Sequence, residues 1–70
     1  MRINEKFSQN IKCLRIEKLM MSQAEFAELI GVSFESVNRY ENCKSSPTYK
    51  VKRKLVELMN KYGIEVETNE

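Results

Sequence analysis

Apolar residues recur along this chain with the spacing of helices. Ile3, Phe7, Ile11 and Leu14 fall on one face of a helix predicted from about Asn4 to Leu19, and Ile16 and Leu19 broaden that face. A second stripe, Phe26, Ala27, Leu29 and Ile30, begins after Ser22. With Glu25 three residues on, Ser22 can form a capping box, and Gly31 tolerates the left-handed backbone that ends such a helix. Ser33 can cap a third helix over Phe34 to Glu41. Only Val37 and Tyr40 are clear inward positions there, so Phe34, Glu35, Ser36, Asn38 and Arg39 remain outside. After a polar loop, Pro47 suits the first position of a fourth helix, capped by Ser46 and running from about Pro47 or Thr48 to Lys61. Its stripe, Val51, Leu55, Leu58, Met59 and Tyr62, reads as core or dimer surface, and Gly63 is placed to stop it. Ile64 to Glu67 alternates apolar and charged residues, a weak strand signal that needs a second chain to pair with or else frays.

With 70 residues the chain has room for one domain and a small core, expected over 1–64 and followed by an acidic tail over 65–70. Hydrophobic residues at 41% and charged residues at 31% suit a folded helical chain rather than a disordered one. The net charge of +2 changes the picture only through its placement. Charges balance from Met1 to Glu41, whereas Asn42 to Lys54 carries Lys44, Lys50, Lys52, Arg53 and Lys54 with no acid.

Cys13 and Cys43 form no CxxC pair and the chain has no His, so no metal site is expected and both cysteines read as small, partly buried hydrophobes. No His, nucleophile motif or Gly-rich phosphate loop is present to support catalysis, and no cofactor or small-molecule substrate is implied. The first ten residues lack the apolar run of a signal peptide, and no membrane span is visible, which fits a reducing cytoplasm.

The run SQ-AEFA-E-L-I-GVS-F-E-S-V-N-R-Y-EN from Ser22 to Asn42, followed by Lys44 and Pro47, resembles the helix-turn-helix domains of the Xre family, the phage Cro and repressor type of DNA-binding protein. The likeness covers roughly Ile11 to Lys61. It implies an all-α, compact, lambda-repressor-like fold of four to five helices, with the helix-turn-helix motif at 22–42 and the strand-like tail as an appendage. It also implies that Arg15 pairs with Glu41, although the connection from Arg15 to Ser22 is one residue longer than the commonest family spacing.

A recognition helix in the major groove needs donors, acceptors or a methyl-sized apolar surface on its first two turns. Phe34, Glu35, Ser36, Asn38 and Arg39 meet that requirement at positions that in the family face the bases. Arg39 suits guanine or a phosphate, Glu35 cytosine, Phe34 a thymine methyl, and Asn38 adenine or the backbone. Phosphate contacts are expected from Gln23, as the resemblance implies, from Ser33 at a helix start, and from Lys44 and Ser45 in the loop. The expected partner is double-stranded DNA, bound by a homodimer on paired half-sites as a small transcriptional regulator. The competing reading is a protein-interaction module or antitoxin built on the same fold, which should carry more exposed aromatics and less single-sign charge.

Overall fold

Each α-helix described in this chain begins where a short polar side chain takes over backbone donors that the first turn leaves unpaired. In a computed structural model describing residues 3–66, helix α1 (Glu5–Cys13) runs into a π-helical segment (Leu14–Lys18) and is followed by α2 (Gln23–Ile30), α3 (Phe34–Glu41) and α4 (Tyr49–Lys61). Asn4 Oδ1 accepts from the Lys6 and Phe7 amides, Ser33 Oγ from the Ser36 amide, and Thr48 Oγ1 from the Val51 amide. Ser22 and Glu25 form the expected capping box, at 3.1 and 2.9 Å. The fourth helix starts later than expected: Thr48, not Ser46, is its cap, and Pro47 lies in the preceding loop.

These helices close on one core, the all-α arrangement that the periodicity and the resemblance imply. Phe7, Ile11 and Leu14 from the first helical stretch meet Phe26, Ala27 and Ile30 of α2, Val37 and Tyr40 of α3, and Leu55 and Met59 of α4; Ile3 and Ile64 close the ends. The expected stripes prove narrower. Leu29 sits at the edge of α2 and Ile16 points outward, both exposed, while Leu58 and Val51 are half-buried and Tyr62 is exposed. Cys13 and Cys43 are half-buried free thiols.

The first helix is not α-helical as far as Leu19. From Leu14 the ladder widens: the Leu19 amide reaches the Leu14 carbonyl at 2.9 Å, five residues back rather than four. A π turn absorbs one extra residue without shifting what precedes it. The longer connection between Arg15 and Ser22 is taken up there, and Leu14 stays fully buried. The chain leaves the turn through Met20 at φ 53, and the Arg15 guanidinium donates to the Met21 carbonyl at 3.0 Å.

Gly63, at φ 77, turns the chain after α4 and lets the Ile64 amide return to the Met59 carbonyl, which drops Ile64 into the core. Ile64 to Val66 forms no strand; its anchor is the Asn10 amide, which donates to the Glu65 carbonyl at 3.1 Å. The acidic tail expected over 65–70 lies, from Glu67 onward, outside the described residues.

Candidate nucleic-acid interface

The angle between α2 and α3 follows from one backbone conformation and two buried contacts. Gly31 at φ 78 ends α2 in the left-handed region, where a side chain would be strained, and Ser33 restarts the chain as α3 two residues later. Val37, with no solvent exposure, holds α3 into the core. The buried Ser8 hydroxyl of α1 donates to the Tyr40 carbonyl, which locks the far end of α3 against the first helix.

This leaves one side of α3 outward. Glu35, Asn38 and Arg39 are exposed, and Phe34 is 52% exposed rather than turned into the core. Ser36 is half-buried, and its hydroxyl lies 3.0 Å from Ser33 Oγ, so both serines are engaged in starting the helix. Glu35 in the first turn and Arg39 in the last also complement the helix dipole, a local role that needs no ligand.

Behind the outward face lies an ion pair. Arg15 Nε meets Glu41 Oε2 at 2.6 Å and its terminal nitrogen donates to Oε1 at 3.0 Å, a two-pronged contact; the side chains are 13% and 3% exposed. Gln23 comes to the same carboxylate. Its Nε2 donates to Glu41 Oε1 at 3.0 Å, while its Oε1 accepts from Asn38 Nδ2 at 3.4 Å. Asn38 in turn accepts from Asn42 Nδ2, at 2.8 Å on its carbonyl and 3.3 Å on Oδ1. Each oxygen of the buried Glu41 carboxylate has a donor, which offsets part of the desolvation cost of taking this charge out of water.

From the sequence, Arg15 and Glu41 are expected as a pair, Gln23 at a phosphate and Asn38 at a base; the structure joins all four, with Asn42, in one chain of hydrogen bonds. Nothing in the spacing signals the Gln23 contacts, because they cross from α2 to α3. Sequence reading also missed how α3 ends. Cys43 takes the left-handed position at φ 60, and the Lys44 amide reaches back to the Arg39 carbonyl at 2.8 Å. Lys44 therefore leaves the helix at a defined place, with its side chain exposed. Ser45 is half-buried beside it.

The basic stretch divides on α4. Lys50, Arg53 and Lys54 are exposed, whereas Lys52 is half-buried with its ammonium 5.5 Å from the centre of the Phe7 ring. No described helix is long and apolar enough to cross a membrane, and the described residues contain no cluster able to hold a metal ion.

Among known families, the helix-turn-helix profile matches residues 11–66, most of the chain. No curated protein and no solved structure matches it closely enough to count as a relative.

Proposed function

Because this chain belongs to the Xre-type helix-turn-helix family of DNA-binding regulatory domains, we propose that it is a sequence-specific reader of double-stranded DNA, with α3 in the major groove, acting as a small transcriptional regulator. The observation that carries this reading is the placement of single-sign charge beside the outward face of α3. Lys44 follows that helix directly and is exposed, and Lys50, Arg53 and Lys54 are exposed on α4. A polyanion is the partner such a surface attracts, and a helix offering mixed donors and acceptors is what a base edge requires.

In this reading Arg39, Glu35, Ser36, Asn38 and Phe34 face the bases, and Gln23, Ser33, Lys44 and Ser45 face phosphates. The serine hydroxyls are already committed to the cap of α3, so Ser33 contributes chiefly through the amide-rich start of the helix. Neutralising about four phosphates per protomer gives a slope of log affinity on log salt of roughly −3.6. Two copies on half-sites about one helical turn apart supply the affinity that one small domain lacks.

A protein-docking role is favoured by the exposed apolar side chains of Ile16, Met20 and Leu29 and by the exposed aromatics Phe34, Tyr49 and Tyr62. A gel-shift series on random duplex at falling salt separates the two. Retardation that strengthens as salt falls supports DNA binding; no retardation at low salt rejects it.

A further inference from the structure

We propose that the buried Arg15–Glu41 pair sets the direction of the amides of Gln23 and Asn38, so that Gln23 is a positioning residue and Asn38 is presented to DNA as an adenine reader. This rests on the DNA-binding reading above and specifies what one position of the site recognises.

The Glu41 carboxylate can only accept hydrogen bonds. Glu41 Oε1 takes hydrogen bonds from Arg15 at 3.0 Å and from Gln23 at 3.0 Å. An ionised carboxylate offers no proton, so Gln23 must turn its NH2 group inward and its carbonyl oxygen outward. That carbonyl likewise can only accept, and the group reaching it, at 3.4 Å, is Asn38 Nδ2. Asn38 is thereby turned with its own oxygen toward Asn42, whose Nδ2 lies 3.3 Å away. Each amide would be free to flip in isolation; in series, the sign of the buried charge selects one orientation for both.

The consequence follows from counting donors and acceptors on Asn38. Its NH2 has two protons and gives one to Gln23; its Oδ1 has two acceptor positions and gives one to Asn42. One donor and one acceptor remain on this exposed amide of α3. In the major groove, adenine presents the complementary pair, an N7 acceptor beside an N6 donor, and a planar amide held at both ends meets it with two bonds. Without Gln23 and Asn42 the side chain rotates freely, and fixing it on binding costs part of what the contact contributes. Gln23 keeps its second amide proton, so a phosphate contact by the same residue is compatible with this role.

The test is selection of bound sequences from a random duplex pool with the natural chain, Gln23→Met, Asn38→Ala and the double variant, alongside thermal melts. The natural chain should enrich a motif containing an adenine whose preference disappears in Asn38→Ala. Gln23→Met should relax preference at that same base pair by about fivefold to tenfold, leave the other positions of the motif unchanged, and fold cooperatively. The double variant should be no less selective there than Asn38→Ala alone. A motif in Gln23→Met that matches the natural one, with affinity lowered uniformly, would leave Gln23 as a phosphate contact only and overturn the proposal. So would an Asn38→Ala motif that loses preference for a base other than adenine. If the natural chain enriches nothing and does not retard random duplex, the DNA reading itself fails, and the relay's role falls with it.

Discussion

Helices α3 and α4 are built alike and present different surfaces. Both start at a hydroxyl cap and turn an apolar stripe inward: Val37 and Tyr40 in α3, Leu55 and Met59 in α4. Outward, α4 shows Lys50, Arg53 and Lys54, while α3 shows an acid, an amide, an arginine and a half-exposed phenylalanine. The side chains of α4 need no fixed geometry to attract a polyanion, since the field falls off over a Debye length of about 8 Å whatever the rotamer. Those of α3 need fixed geometry to discriminate, because hydrogen bonds weaken steeply off axis. The buried network lies behind α3, where orientation matters.

The comparison can be broken most severely from below. Leu55→Ala removes a fully buried side chain that holds α4 to the core and should cost about 3 kcal/mol or more, seen as a cooperative melt shifted down by over about 10 °C. A shift of only a degree or two would mean that α4 is held by something other than this stripe. Arg15→Met should cost about 3 kcal/mol, because Glu41 stays buried with Gln23 as its remaining donor. Adding Glu41→Leu should return most of that loss, since two apolar groups replace a pair whose desolvation was itself unfavourable. A double variant as unstable as the single one would contradict this account.

Two smaller effects sharpen the contrast between the surfaces. Arg39→Ala should weaken binding to a selected site by about tenfold or more while changing affinity for random duplex far less. Equal losses on both would move Arg39 from base to phosphate. Lys44→Ala should leave sequence preference intact and make the salt slope shallower by about 0.9, as expected for one lost phosphate contact. An unchanged slope would remove Lys44 from the interface.

Much of the fold was legible in the residues because its determinants are local. Capping boxes, left-handed stops and stripes at helical spacing involve residues within about one turn of one another, and Ser22 with Glu25 behaves as the pattern predicts. The misplaced cap of α4 is also local: Ser46 and Thr48 flank Pro47 with similar chemistry, and the amide of Val51 chose the nearer hydroxyl. The π segment was visible only as a spacing one residue too long. Length alone leaves open whether the extra residue goes into a loop or a widened helical turn, and the packing of Leu14 with the reach of Arg15 resolves it.

The sequence by itself determined where the helices lie, which faces are apolar, and that α3 would turn a polar face outward beside a basic loop. These follow from periodicity, capping chemistry and the order of charges along the chain. Tertiary structure alone decided that Arg15 and Gln23 share one carboxylate, that Gln23 faces Asn38, and that Ser8 holds the Tyr40 carbonyl. These contacts join positions 15 to 32 residues apart. Their distances depend on how the core sets the angle between helices, and a hydrogen bond tolerates only a few tenths of an ångström of error in that angle's consequences.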